Sequence, residues 1–210
     1  MSEPSQDPVQ LTSTVVLEGL AYPECPRWRD GRLYFSDQYA GRVVALDPNG
    51  AATTVVEVPG RPSGLGWMPD GDMLVVSMLE HRVYRWSGGA LRVHAELRDH
   101  HPGPSNDMVV DSHGRAYVGN IGFDFYGGEQ PRTTTLVLVE PDGRVRTVAD
   151  DLLVPNGMVL LAEESELVVA ESFAHRLTAF TIQPDGSLTD RRCYADLDGQ
   201  IPDGICKDPA

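Results

Sequence analysis

The sequence predicts an all-β protein, built as a β-propeller of four-stranded blades. Three observations indicate this class: many short β-branched or aromatic runs broken by Gly, Pro, Asn and Asp, a repeat of about 40 to 50 residues, and no long run with the 3.6-residue apolar period of a helix. Repeats of this size with four strands each are typical of propeller blades. A β-sandwich is the alternative, but it would not require a polar residue at the start of every repeat.

The first repeat shows the predicted blade. It reads in order as a short run at 26–29, a turn at 30–31, strands at 33–36 and 42–46, a turn at 48–50, and a strand at 53–58. The same order recurs over 65–96 and over 108–149, and the fourth repeat has runs at 158–161, 167–170 and 177–182. Residues 13–20 are also strand-like, and we expect them to help close the ring.

One polar position recurs at the start of each repeat. It lies in the middle of five similar segments, Pro23-Glu24-Cys25, Pro62-Ser63-Gly64, Ser105-Asn106-Asp107, Pro155-Asn156-Gly157 and Pro202-Asp203-Gly204. A repeat that places an oxygen-bearing side chain at the same point of every unit can direct those oxygens toward one centre, as a site for a hard cation requires.

The length predicts an incomplete ring. A six-bladed propeller needs on the order of 270 residues at roughly 45 per blade, whereas this chain has 210 residues, enough for about four blades and the start of a fifth. We therefore expect an incomplete propeller domain at 13–210. Because the first ten residues are polar, acidic and proline-containing, we expect a disordered tail at 1–12. A compact four-bladed ring is the alternative, and the fifth segment argues against it.

Composition narrows the classes of partner. The net charge of −14 and the pI near 4.7 argue against binding to nucleic acid or to anionic membranes. The chain has no run of about 18 apolar residues, and its first ten residues lack the basic and apolar regions of a signal peptide. Three widely spaced cysteines (Cys25, Cys193 and Cys206) fit reduced thiols better than a disulfide framework. We expect a cytoplasmic location.

The recurring position offers a metal site. Glu24, Asn156 and Asp203 combine two carboxylates with an amide oxygen, a set that calcium, magnesium and manganese favour. The alternative for each residue is a local role, bonding its own backbone at a turn. Asn106 is a candidate to orient water or substrate, and Ser63 is expected to be a plain turn residue. The insertion at 121–132 either covers the site or is a mobile surface loop.

Four motifs resemble one family in the same order and spacing. These are GLAYPECPRW followed by DGRLYFSD, then SNDMVVDSHGRAYVGN, VPNGMVL and QIPDGICKD. They are similar to segments of the gluconolactonase, senescence marker protein and luciferin-regenerating enzyme family. The resemblance implies a six-bladed propeller with one divalent metal near its central channel, which hydrolyses sugar lactones and related esters.

The resemblance also implies roles for individual residues. Glu24, Asn156 and Asp203 would bind the metal, which is calcium or alternatively zinc, manganese or magnesium. Asp203 would act as general base on the attacking water while the metal polarises the lactone carbonyl, and Asn106 and Asp124 would contact the substrate. Because a bound cation lowers the pKa of a carboxylate and makes it a poor base, metal hydroxide is the alternative nucleophile. The partner would be a small-molecule lactone.

Two departures from the family pattern concern the substrate. Cys25 stands where the family usually has glycine, and Pro104 stands where some sugar-lactone members have arginine. The resemblance therefore does not decide whether the substrate is similar to gluconolactone. The competing function is a non-catalytic, metal-stabilised propeller that binds a sugar acid or a protein partner. The third alternative is that the chain contains all the metal-binding residues but is truncated and does not fold stably by itself.

Overall fold

The computed structural model describes residues 12–208 and confirms the all-β class. Blade 1 comprises β1 (Pro23–Arg29), β2 (Arg32–Asp37), β3 (Arg42–Leu46) and β4 (Ala52–Glu57). Blade 2 comprises β5 (Pro62–Trp67), β6 (Met73–Ser77), β7 (Arg82–Ser87) and β8 (Ala90–Glu96). Blade 3 comprises β9 (Ser105–Val110), β10 (Ala116–Asn120), β11 (Thr134–Val139) and β12 (Val145–Leu152). Blade 4 comprises β13 (Pro155–Leu161), β14 (Glu166–Glu171), β15 (Arg176–Ile182) and β16 (Leu188–Asp196), with a 3-10 turn at Ser172–Ala174.

The strands form four antiparallel sheets, each a simple meander in chain order. The first strand of every sheet faces the centre, so that β1 packs beside β5, β5 beside β9, and β9 beside β13. This is the arrangement of blades in a β-propeller. Within residues 12–208, no helix is long and apolar enough to cross a membrane.

The hydrophobic core lies between neighbouring blades. Blades 1 and 2 enclose a cluster that includes Val43, Leu65 and Val75, and blades 3 and 4 enclose one that includes Leu136 and Leu167. Each fully buried side chain of this kind contributes roughly 1.5 to 3 kcal/mol relative to an exposed one. Because the middle strands of the blades are mostly buried, the blades hold one another in place and fix the positions of the inner strands.

Two sequence expectations about strands need correction. The inner strands begin three residues earlier than predicted, since the polar segments belong to the strands and are not turns before them. Residues 13–20 form no strand, because a strand requires a paired neighbour and none of the described strands pairs with this segment. Leu17 and Leu20 instead pack against a cluster of Phe35, Val44 and Leu46. Residues 1–11 of the expected tail lie outside the described part of the chain.

Candidate functional site

A cavity of about 280 Å³ opens at the end of the propeller where the inner strands begin. Four of the predicted site residues (Glu24, Asn106, Asn156 and Asp203) line it together, although they are far apart in sequence. Ser63 does not line the cavity: it is buried, and its carbonyl oxygen accepts a hydrogen bond of 2.6 Å from the Ser36 hydroxyl. The repeat therefore brings the carboxylate and amide side chains of the recurring position to one cavity, whereas Ser63 lies in the core.

An irregularity in each inner strand accompanies the polar position. The register breaks between Pro62 and Leu65 in β5, and between Pro155 and Met158 in β13. The pairing of β9 with β10 shifts between Val118 and Asn120, and that of β1 with β2 shifts after Glu24. A bulge bends a strand and redirects its side chains. The repeated bulge explains how residues inside strands can present polar groups at the mouth of the central channel.

Glu24 and Asp203 give the cavity its charge. Burial raises the pKa of the Glu24 carboxyl, the negative charge of Asp203 raises it further, and a hydrogen bond from the Cys25 backbone N–H opposes both effects. The pKa of the Tyr22 hydroxyl is also raised, first by Glu24 and then by burial. None of the described residues that line the cavity is basic. The two carboxylates therefore share a cavity whose described lining residues include no cationic side chain.

Asn156 is oriented by its own hydrogen bond. Its Nδ2 donates to the Ser172 hydroxyl at 3.1 Å, which leaves Oδ1 as the acceptor available to a ligand. The next residue, Gly157, donates its N–H to the Asp203 carbonyl oxygen at 3.2 Å. A Cβ at Gly157 would lie 2.6 Å from that oxygen and 2.6 Å from the Ile205 nitrogen. Glycine at this position therefore allows the segment with Asp203 to approach β13 closely.

Asn106 is held from below by an ion pair. Its neighbour Asp107 accepts a hydrogen bond of 2.6 Å from Nη2 of Arg27, and the Asp107 side chain is only 4% exposed. Arg27 also donates to the carbonyl oxygens of Leu65 and Met108, at 3.2 Å and 3.0 Å. This guanidinium thus ties β1, β5 and β9 together beneath the cavity.

Buried carboxylates at the ends of second strands hold the surrounding loops. Asp37 accepts hydrogen bonds from the N–H groups of Ala21 and Tyr22, and from Arg42. Burial alone would raise the pKa of the Asp37 carboxyl, but these hydrogen bonds outweigh it and hold the pKa below its ordinary value. Glu171 plays the same role in blade 4, accepting from Leu153 N–H, Arg176 and Thr178.

Cys25 occupies a strained position next to Glu24. Its φ of 51° lies in the left-handed region, where glycine is more usual. The side chain is buried, with Sγ 3.6 Å from the Ser63 hydroxyl, and burial raises the pKa of the thiol well above its ordinary value. All three cysteines are free, and Cys193 and Cys206 are exposed. The Cys25 thiol thus serves as packing between blades 1 and 2.

The insertion at 121–132 folds over the cavity. Phe123 is buried and contacts Phe173, with 6.0 Å between ring centroids, while Phe125 and Tyr126 line the cavity. Asp124 is exposed and does not line it; its Oδ1 instead accepts a hydrogen bond of 2.8 Å from Gly127 N–H. The loop therefore covers the site with aromatic side chains, and the predicted role of Asp124 in substrate contact remains a prediction.

Sequence reasoning missed the second source of lining residues. The residues directly after the second strand of each blade also reach the cavity, namely Gln38, Tyr39, Met78, Ile121, Ser172 and Phe173. In a meander, the end of the second strand lies beside the start of the first. Aligning the repeats places these residues at equivalent positions. Their side chains are of different chemical types, however, so the alignment alone does not identify them as site residues.

The donor set fits a hard divalent cation. Two carboxylates and an oriented amide oxygen are the ligands that such ions prefer, and a cation would relieve the repulsion between Glu24 and Asp203. Within residues 12–208, no three His, Cys, Asp or Glu side chains form a group that could hold a metal. The candidate set has only two such residues, because its third member is an asparagine.

Comparison with known proteins gives consistent results. The family model described as SMP-30/Gluconolactonase/LRE-like region matches residues 22–210. The chain is 26% identical over 208 residues to a 6-deoxy-6-sulfogluconolactonase of Pseudomonas putida, covering 93% of this chain and 68% of that protein. It is 28% identical over 192 residues to a pentonolactonase of Haloferax volcanii, covering 89% of this chain and 63% of that protein.

A solved structure supports the fold. The calcium-binding protein regucalcin of Agrobacterium tumefaciens strain C58 superposes with a TM-score of 0.71 at 20% identity, over 86% of this chain and 61% of that one. At this identity the likeness concerns the fold alone. The chain thus spans roughly two thirds of the length of the proteins it resembles.

Proposed function

Because this chain belongs to the SMP-30/gluconolactonase/LRE-like family, we propose that it hydrolyses the carboxylic ester bond of a lactone, with the catalytic groups at the cavity. Two relatives named as lactonases support the reaction class. The observation that carries the proposal is the meeting of Glu24, Asn106, Asn156 and Asp203 on one concave surface. A sugar lactone is the substrate class we propose.

Glu24, Asn156 and Asp203 are proposed to hold one divalent cation, with calcium as the first choice. The oxygen donor set and the raised pKa of Glu24 support this assignment, as does the solved relative described as calcium-binding. When bound, the cation supplies Lewis acidity, which polarises a carbonyl oxygen and stabilises developing negative charge. Zinc, manganese and magnesium are the alternatives to be compared.

The side chains would divide the remaining tasks. Asp203 is exposed at the cavity and is proposed to accept a proton from the attacking water. Asn106 is proposed to orient the lactone by donating from its amide, since Asp107 and Arg27 hold the strand below it. Phe125 and Tyr126 would pack on the ring and exclude bulk water. For Asp124 to contact substrate, the loop would have to rearrange, because its carboxylate is bonded to Gly127.

A lactone panel with site variants tests the catalytic proposal. Hydrolysis would be followed by proton release in a weakly buffered indicator assay, with each metal added after EDTA treatment. Asp203→Ala should lower kcat by about 100-fold or more, as expected for loss of a general base. Asp198→Asn is the control for loss of a nearby carboxylate, because Asp198 is exposed, does not line the cavity, and has a left-handed φ of 50° that asparagine tolerates. Near-normal turnover of Asp203→Ala at saturating metal would refute the assignment.

Thermal unfolding tests the metal site independently of activity. A ligand at about 100 times its Kd stabilises the folded state by about 2.7 kcal/mol, which corresponds to about 5 to 10 °C in Tm for a chain of this size. One metal should raise the Tm of the wild type, and Asn156→Ala should remove that rise. A metal-dependent rise without turnover of any lactone would favour the non-catalytic alternative. No rise with any metal would contradict the ligand assignment.

A further inference from the structure

Arg61 does not line the cavity, but it contacts residues that do, and it has no role in the proposed chemistry. It directly precedes β5, and its carbonyl oxygen accepts a hydrogen bond of 2.9 Å from Met78 N–H. Its guanidinium carbon lies 4.5 Å from the ring centroid of Tyr39 and 4.8 Å from that of Tyr126. All three of these neighbours line the cavity. The cationic group is therefore clamped between two aromatic side chains at the edge of the site.

The guanidinium of Arg61 has an unused donor. Its Nη1 is buried and has no hydrogen-bond partner among the described residues. Buried donors are nearly always paired, since leaving one unpaired costs about 1 to 3 kcal/mol, and each exception calls for an explanation. The Arg61 backbone adopts a left-handed φ of 68°, and so does Val154 before the equivalent proline of blade 4, with a φ of 55°, so this conformation belongs to the repeat. The unpaired Nη1 is the feature that indicates a ligand that the protein itself does not supply.

The charges around the cavity favour an anionic ligand at Arg61. Glu24 and Asp203 are the charged residues of the lining, and a divalent cation between them would offset both charges. Arg61 would then leave the site with a net positive charge beside its aromatic wall. The planar guanidinium fork suits carboxylate, phosphate and sulfonate oxygens, and stacking between two rings holds it ready to donate.

We propose that Arg61 selects lactones that carry an anionic group in addition to the ester, by donating a charge-assisted hydrogen bond from its guanidinium to that group. The inference rests on the proposed lactonase function for the reaction, but it concerns recognition and not the hydrolytic step. Arg61 is therefore a specificity-determining residue. Its simplest competitor is a purely mechanical role, in which Arg61 supports Tyr39 and Tyr126 and has no preference for substrate charge.

The test compares neutral and anionic lactones. Values of kcat/KM would be measured for glucono-1,5-lactone, for 6-phosphoglucono-1,5-lactone and for glucaro-1,4-lactone, with wild type, Arg61→Gln and Arg61→Lys. Arg29→Gln is the matched control, because Arg29 also stacks on an aromatic ring, 5.1 Å from the centroid of Trp67, but does not adjoin the cavity. Thermal unfolding of each variant would confirm that it folds.

The proposal expects a loss that depends on substrate charge. Arg61→Gln should lower kcat/KM for at least one anionic lactone by about 10- to 100-fold, while glucono-1,5-lactone changes by less than about threefold. Arg61→Lys should recover part of the loss, and Arg29→Gln should behave as wild type. Equal losses on neutral and anionic lactones would overturn the proposal in favour of the mechanical role. Unchanged kcat/KM values for all lactones would also overturn the proposal. If Arg61→Gln does not fold, Arg61→Lys decides, and equal effects of that variant on neutral and anionic lactones would overturn the proposal.

A binding measurement separates this proposal from the proposed function. If wild type hydrolyses no lactone, the lactonase function fails, and calorimetric titration of the hydrolysed acids decides the role of Arg61. The proposal then requires that 6-phosphogluconate or glucarate binds at least about tenfold more tightly than gluconate, and that Arg61→Gln removes the difference. Equal affinities for gluconate and for the two acids with a second anionic group would overturn the proposal.

Discussion

Gly157→Ala should displace the segment that carries Asp203. The added Cβ would lie 2.6 Å from the Asp203 carbonyl oxygen, 2.6 Å from the Ile205 nitrogen and 2.7 Å from the Gly204 Cα. These are backbone atoms, so no side chain can swing away. Ordinary carbon contacts begin near 3.4 Å, and relief therefore requires the segment to move by several tenths of an ångström. That movement would also lengthen the hydrogen bond from Gly157 N–H to Asp203.

The effect on stability follows from overpacking. Extra methyl groups in a well-packed site typically cost about 1 to 3 kcal/mol, and about 2 kcal/mol lowers the Tm of a chain this size by about 4 to 8 °C. The effect on catalysis should be larger, because a displacement of about 1 Å at a reacting group can reduce the rate by about 100-fold. Calorimetric unfolding and the lactone assay measure the two effects separately.

Gly204→Ala is the control for this substitution. A Cβ at Gly204 would have no atom within 4 Å, and its φ is not in the left-handed region. Such a change should leave the Tm unchanged or raise it slightly by restricting the unfolded chain. If Gly157→Ala kept both the Tm and the turnover of Gly204→Ala, the close approach between β13 and the Asp203 segment would be refuted as a requirement of the site.

Three further predictions concern charge, pH and the loop. Without metal, Glu24→Gln should have a Tm a few degrees above that of wild type near neutral pH, because it removes a half-buried carboxylate repelled by Asp203. The variant should also lose the rise in Tm on adding metal. A Tm below that of wild type in EDTA would contradict the repulsion. Burial, with the positive charges of neighbouring histidines, lowers the pKa of His101 to about 3, so this residue stays neutral in the folded state and stabilises the protein above the ordinary histidine pKa of 6.5. That contribution is lost as the pH falls below 6.5. Between about pH 6.5 and pH 5, the free energy of unfolding measured by urea denaturation should therefore fall by about 2 kcal/mol more for wild type than for His101→Gln. If the free energies of unfolding of the two proteins changed with pH in parallel, this role of His101 would be refuted. Phe123→Leu should raise KM for lactones more than it lowers kcat in steady-state kinetics, because Phe123 anchors the loop that carries Phe125 and Tyr126; an unchanged KM would show that the loop does not contribute to binding.

The repeat in the sequence was sufficient to predict the blades. Alternating short strands and glycine turns placed fifteen of the sixteen strands, because each blade is local in sequence and each turn has a recognisable composition. The strand missed was β16, Leu188–Asp196, whose side chains are mostly exposed and polar and so show no apolar pattern. The inner strands were predicted to start too late, since their polar residues and bulges interrupt the same pattern.

The candidate site was predictable in part for the same reason. Equivalent positions in successive repeats indicated Glu24, Asn106, Asn156 and Asp203, all of which line one cavity. Asp124 was placed by resemblance alone, and the structure leaves it outside that lining. The loop at 121–132, which carries Phe125 and Tyr126, was predicted as one of two alternatives to cover the site, whereas Tyr39 was not indicated, because it lies in a different loop.

The sequence by itself determined the repeat, the all-β class and the chemical identity of the oxygen donors, since these depend on local turn preferences and on residue type. Only the tertiary structure decided which donors line the same cavity and how Asn156 is oriented. It also brought Arg61 between two tyrosines, although Tyr126 lies in a different blade. The reason is physical: distances between blades are set by core packing over the whole chain, and no short segment contains that information.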